Sequence, residues 1–285
     1  MSSATMDVLE GMPVSRYARL TRWLFRLWGL IVIAFLYLPI AFLILFSFED
    51  SRTIGLPWAG FSTRWYEGLP QNPQLLQAVG NSIMVAVAVA ILATVIGTMA
   101  AFPLVRAGLR FPNAVRILVT MPIMLPGILI GIALLIFLTR VFGLQLSLLT
   151  VVLGHLVFTT PYVILIVAAR LQGFDRALEW AAADLGASPP RALREVVLPL
   201  IAPAVMAGAL ITVTLSIDEF ITTFFLIGPQ LTLPIYIYTQ IKFGVTPEVN
   251  AMATVLLIGT LGAFGIGAAA YSQGRRLLRL RRRRS

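Results

Sequence analysis

Six long stretches of this chain carry no charged residue: 27–48, 68–105, 117–139, 141–169, 196–217 and 249–274. Each reaches the roughly 20 residues that cross a bilayer as a helix. Only 12% of the residues are charged, against about 25% in an ordinary soluble domain. The runs contain Pro122, Pro126, Gly127 and Gly131, residues that spanning helices tolerate where neighbours satisfy the freed backbone groups. The pattern predicts an all-α, polytopic membrane protein. Its six transmembrane helices are expected at about 27–48, 82–104, 117–138, 148–169, 199–227 and 250–271. The first run is too long for a signal-peptide core, and no small-residue cleavage site follows "FSFED". It is expected to stay as a helix.

Orientation follows from arginine. With six spans, the two ends and alternate loops share one side of the membrane. That side holds Arg16, Arg19, Arg22 and Arg26, then Arg106, Arg110 and Arg116, then Arg170, Arg176, Arg191 and Arg194, and finally the arginines of "RRLLRLRRRRS". The other side holds Arg52, Arg64, Arg140 and Lys242. Positive residues favour the inside, so both termini are expected in the cytoplasm. The expected organisation is a cytoplasmic segment 1–26, a six-span body 27–271 and a basic tail 272–285. The net charge of +10 then reads as an orientation signal and an anionic-lipid contact, with no nucleic acid as partner. A seventh helix over 220–241 would put the tail outside, and Gly228-Pro229 and Pro234 also interrupt that run. Residues 220–227 are therefore read as the end of span five, followed by an outer loop with room for a short surface or re-entrant helix.

The longest inner loop, 170–198, interrupts the apolar pattern with "EWAAADLGASPPRALREVVLP". Phe174, Leu178, Ala181, Ala182 and Leu185 form one apolar stripe at helical spacing. Gly186 stands where a glycine ends a helix in the left-handed region. Ser188 is placed as an N-cap with Pro189 at the first helical position. Leu198-Pro199 is expected to restart the chain into span five. On physical grounds alone the unit suits a helix lying on lipid headgroups or one docking against another protein.

The loop resembles the EAA loop of ABC-transporter permease subunits, E-A-A-x-x-x-G followed nine residues later by I-x-L-P. Ala181, Ala182 and Gly186 match, as do Leu198 and Pro199, with Val196 for the isoleucine. The glutamate position holds Trp180, and Glu179 lies one residue earlier, about 100° around a helix. "WAGFSTRWYEGL", "GHLVFTTPYVILIVAARLQGFD", "LSIDEF", "TLPIYIY" and "GVTPEVNAMATVLL" extend the likeness to nearly the whole chain. They resemble the second permease of spermidine/putrescine importers. The resemblance implies the ABC importer permease fold in a multi-pass protein of the bacterial inner membrane. It also implies coupling to an ATPase through Glu179, Trp180, Ala181, Ala182, Asp184, Leu185 and Gly186. The implied partners are a second permease in a heterodimer, a dimer of ATP-binding subunits and an extracytoplasmic solute-binding protein. ATP and Mg would be used by the ATPase, with no cofactor in this chain.

The chain lacks a P-loop, since its only lysine, Lys242, precedes Phe243. No catalytic or metal-binding constellation accompanies the single histidine, His155, and there is no cysteine. His155 reads as a packed side chain, with a proton relay as the other reading. Asp218 and Glu219 fall two-thirds of the way through span five. A carboxylate there costs about 2.5–3.5 kcal/mol unless it meets a partner or water. The pair is assigned to a cation path, against a pairing with a basic side chain of the second permease. The expected function is a membrane-spanning, binding-protein-dependent import subunit for polyamines or a related small cation. The alternatives are a self-sufficient secondary transporter, which would show internal repeats, and an ABC permease for another solute. An enzyme is not expected.

Overall fold

A computed structural model describes residues 16–265 apart from 56, 109, 243, 263 and 264. The expected tail 272–285 and the first part of segment 1–26 lie outside the described residues. Helix dominates, and among the described residues the only extended pairing is an isolated antiparallel bridge between Glu49 and Phe61. The helices are α1 (Arg16–Phe46), α2 (Arg64–Gly68), α3 (Pro73–Arg106), α4 (Pro112–Met124), α5 (Gly127–Ile136) and α6 (Leu148–Gln172). They continue as α7 (Ala177–Asp184), α8 (Pro189–Ala192), α9 (Leu198–Ile217), α10 (Ile221–Leu226) and α11 (Leu233–Lys242). The last, α12, covers 247–262.

The chain divides into two compact units. One comprises the described parts of Met1–Leu69 and Gly244–Ser285. Within it, α1 leaves Trp23, Phe25, Trp28 and Phe35 exposed, a surface suited to lipid or to another protein. The loop after α1 is held by its own groups. The Trp65 indole donates to the Glu49 carbonyl at 2.8 Å, and Phe48 stacks on Phe61.

The other unit, Pro70–Phe243, contains the core. Here α3, α6 and α9 pack on one another around Ala93, Ala101, Val163, Val167, Leu171, Val197 and Ile201. Both α3 and α9 come close to α6 at Val163. A Cβ on Gly97 of α3 would stand 2.7 Å from the Val163 Cβ, and one on Gly208 of α9 would stand 3.3 Å from its Cγ1. Small residues let helix backbones meet where lipid supplies no hydrophobic drive between them. Asn72 caps α3 by accepting the Leu75 N–H, with Pro73 next, so this helix starts well before the expected residue 82. The expected short helix after Pro229 is present as α11. It is fastened by Ser82 Oγ, which accepts the Leu233 N–H at 2.8 Å, and by Asn72 Nδ2, which donates to the Tyr236 hydroxyl at 2.9 Å.

Four helices among the described residues are long and apolar enough to cross a membrane: Thr21–Phe46, Pro73–Arg106, Leu148–Gln172 and Pro189–Ile217. The pair Pro112–Met124 and Gly127–Val141, bent by 98°, passes the same test when taken together, as a broken span or a re-entrant loop. The sixth expected run begins in α12, and its end lies outside the described residues.

Three details correct the sequence reading. Span three is broken, because Pro126 lacks an N–H and holds Leu125 extended at ψ 138°. Span five does not run to 227; α9 stops at Ile217 and α10 begins at Ile221. Leu198-Pro199 does not restart the chain. The run from Pro189 to Ile217 stays helical through a π turn, Leu193–Val197, in which the Leu198 N–H reaches the Leu193 carbonyl. The wider turn absorbs the bond that Pro199 cannot donate.

Candidate functional site

Two places gather the residues singled out by sequence. The first is the loop between α6 and α9. Asp175 accepts the Ala177 N–H at 2.9 Å and opens α7. At the other end Gly186 has φ +84°. Its N–H reaches the Ala183 carbonyl and the Ala187 N–H reaches the Ala182 carbonyl, both at 2.9 Å. These two bonds define a Schellman turn, which satisfies carbonyls that α7 would otherwise leave open. Ser188 then takes the extended N-cap conformation, without a side-chain bond, and Pro189 starts α8.

The turn leaves Trp180, Ala181, Asp184 and Leu185 exposed, Leu185 by 90% of its surface. Ala182 and Glu179 are half-buried. The Glu179 carboxylate receives two bonds from the Arg106 guanidinium at the end of α3, at 2.9 and 2.6 Å. Arg106 in turn lies over the rings of Phe102 and Phe174, 5.2 and 5.8 Å from their centroids. Forked, charge-assisted pairs fix geometry as well as energy. Glu179 is therefore engaged within its own chain, while the neighbouring indole points outward. Arg106 entered the sequence reading only as an orientation signal, since nothing in its local pattern announces a partner 73 positions away.

The second place is the break between α9 and α10. Asp218 caps the C-terminus of α9, its N–H reaching the Thr214 carbonyl; it is exposed, and its carboxylate makes no hydrogen bond or ion pair among the described residues. Glu219 is half-buried, and its Oε1 accepts the Thr222 N–H at 2.7 Å in the first turn of α10. The two carboxylates thus have different employment: Glu219 caps a helix and Asp218 is free. The carbonyl end of α9 adds partial negative charge beside Asp218.

His155 on α6 lies directly behind this break, 1% exposed. Its Nδ1 is 2.8 Å from Ser216 Oγ on α9, and its Nε2 is 2.8 Å from Thr223 Oγ1 on α10. Thr223 donates its own proton to the Glu219 carbonyl at 2.9 Å. The ring Nε2–H therefore donates to Thr223, and Nδ1 accepts from Ser216. Every polar atom of the buried ring is satisfied, as the packed reading of His155 requires.

Residues 93–278 match the family described as binding-protein-dependent transport system inner membrane component. The chain belongs to this permease family. Among its relatives, the putrescine transport system permease protein PotI of Escherichia coli K12 is 37% identical over 249 residues, which is 84% of this chain and 88% of PotI. The spermidine/putrescine transport system permease protein PotC of the same strain is 42% identical over 231 residues, covering 81% and 87%. PotC of Haemophilus influenzae is 40% identical over 232 residues, covering 81% and 90%.

Solved structures agree on the fold. A bacterial ABC transporter involved in the import of alginate superposes with a TM-score of 0.72 at 15% identity, covering 90% of this chain and 98% of that one. The MetNI methionine ABC transporter gives 0.57 at 23% identity, covering 70% and 94%. This permease is a multi-pass inner-membrane transport component with the ABC importer permease fold. Among its described residues no group of His, Cys, Asp or Glu could hold a metal ion. Its notable polar groups are the outward α7 surface and the free carboxylate at the α9–α10 break.

Proposed function

We propose that this permease is the membrane-spanning subunit of an ATP-driven, binding-protein-dependent importer for polyamines or a related small cationic solute. A separate ATP-binding dimer, using ATP and Mg, drives it through the 170–198 loop. A second permease completes the pathway as a heterodimer, and an extracytoplasmic binding protein delivers the solute. The carrying observation is the exposed α7, closed by the Gly186 turn and braced on α3 by the Arg106–Glu179 pair. A loop fastened so firmly to two spans, with Trp180 and Leu185 left bare, is suited to receive force from another subunit. The solute class rests on the names of PotI and PotC and on the free Asp218 carboxylate. This chain supplies no ATPase site of its own.

The test is reconstitution. The permease is expected to co-purify with an ATPase and to take up putrescine or spermidine in vesicles only with ATP, the second permease and the binding protein. Uptake by the single chain in ion-loaded vesicles would sink the proposal.

Two further outcomes are expected. Reporter fusions after Gln71 and Pro247 should read as external, and those after Gly108, Pro189 and Arg281 as cytoplasmic. An external reading at Arg281 would defeat the six-span topology. Glu179→Gln should loosen the brace by about 1.5–3 kcal/mol, the worth of a hydrogen bond to a charged group. In a double-mutant cycle with Arg106→Gln, ATP-dependent uptake should show strong non-additivity. Additive losses would mean that the pair does not act as one unit.

A further inference from the structure

The break at 218–220 is not made by proline or glycine. The segment "LSIDEFITTFFLI" contains neither proline nor glycine, the usual origins of a sharp interruption. Sequence alone reads it as continuous helix for that reason. Ser216 in the last turn of α9 and Thr223 in the first turn of α10 bond to opposite edges of one imidazole, at 2.8 Å each. The histidine therefore ties together the two helix ends that flank the break.

We propose that His155 is a positioning residue that clamps the α9–α10 break open, so that Asp218 stands at a helix end instead of within a helix. Three features support the assignment. The ring is buried on α6, which packs against both α9 and α10. It has one bond on each side of the break, and none within its own helix involves the ring. The break is also locked downstream, where Thr150 Oγ1 of α6 donates to the Leu226 carbonyl at 2.7 Å. Glu219 completes the arrangement by capping α10. The consequence for transport rests on the reading of Asp218 as part of the solute path. Without the clamp, α9 would extend through 218–220, and the carboxylate would turn with it.

The chain has no cysteine, so two introduced cysteines carry spin labels cleanly, with the cysteine-free parent as background. Labels replace Leu210 and Phe224, both exposed and on opposite sides of the break. The label distance is measured by pulsed electron resonance in the assembled importer, alongside ATP-dependent putrescine uptake. In His155→Leu, Ser216→Ala and Thr223→Val the distance should move toward that of continuous helix, in which 14 residues rise about 21 Å. Maximal uptake should fall by about three- to tenfold for Ser216→Ala, and by more for Thr223→Val, which also loses the bond to the Glu219 carbonyl. The half-saturating putrescine concentration should not change. Thr223→Ser restores the hydroxyl and should restore both readouts. If His155→Leu fails to assemble, Ser216→Ala decides, since it removes only the bond to His155. An unchanged distance in Ser216→Ala and Thr223→Val, or no rescue by Thr223→Ser, overturns the clamp. Normal uptake by Asp218→Asn together with a shifted distance in Thr223→Val would instead keep the clamp and remove the solute reading.

Discussion

Gly186→Leu is expected to reduce ATP-dependent uptake about tenfold or more, with the permease still inserted and paired with its second subunit. The reason is backbone, not crowding. Gly186 stands at φ +84°, while a Cβ built there meets nothing within 4 Å. A side chain in that region costs about 1–2 kcal/mol. The turn can relieve this only by giving up the two bonds from Gly186 and Ala187 back into α7. Losing them would free the end of α7 and misdirect Trp180 and Leu185. Such an energy corresponds to a factor of about 5–30. Gly186→Asn, which the left-handed region tolerates better, should keep most of the activity. Co-purified ATPase and uptake are measured together. Normal uptake in Gly186→Leu would refute the role of the turn in coupling. Trp180→Glu probes the same surface from the other side. It places a carboxylate where the EAA pattern has one and should be tolerated if the ATPase groove keeps a basic partner there.

Asp218→Asn should lower polyamine uptake by about tenfold or more without separating the subunits. A cation crossing a region of low dielectric needs nearby negative charge, because two unit charges 4 Å apart interact with about 4 kcal/mol even at an effective dielectric constant of 20. Asp218 offers such a charge unpaired among the described residues, at the carbonyl end of α9. Asparagine keeps size and hydrogen bonding and removes only the charge. Glu219→Gln should be milder, since the glutamine carbonyl oxygen can still accept the Thr222 N–H that Glu219 now caps. Affinity of the isolated binding protein should not change in either variant. Normal transport by Asp218→Asn would remove the path role. A failure confined to subunit separation would instead mark Asp218 as a contact with the second permease.

What could be read from the residues divides along physical lines. Charge-free runs are a one-dimensional signal, and they located α3, α6 and the start of α9 well. Gly186 was legible because only a left-handed turn explains a glycine between two helix patterns. The breaks were harder. Pro126 carried a local signal for a kink, but spanning helices tolerate proline, and the 98° bend depends on how α5 packs. The break at Asp218 carried no proline or glycine signal, and the imidazole that bonds both of its flanks belongs to a residue on another helix. The same applies to Arg106: its pairing with Glu179 is set by the crossing of α3 over the loop, which no pattern within either segment encodes. Carboxylates were correctly singled out as costly, yet only the geometry separates the capping Glu219 from the free Asp218.

The brace on α7 also has a mechanical meaning. The loop is anchored twice, to the end of α3 through a forked ion pair and to α9 through the Gly186 turn and the helical run Pro189–Ile217, which includes a π turn. Under the proposed coupling, a displacement of α7 would be delivered to two levers at once. Those levers meet at Val163 through Gly97 and Gly208, a contact with no large side chain to interlock on either glycine. Such a joint resists separation, because the backbones are close, but it offers little resistance to sliding or rotation. It is a bearing. Filling it should leave the α7 turn in place: Gly208→Ala would put a methyl 3.3 Å from Val163 Cγ1, and ATPase activity of the assembled importer is expected to persist while uptake per ATP hydrolysed falls.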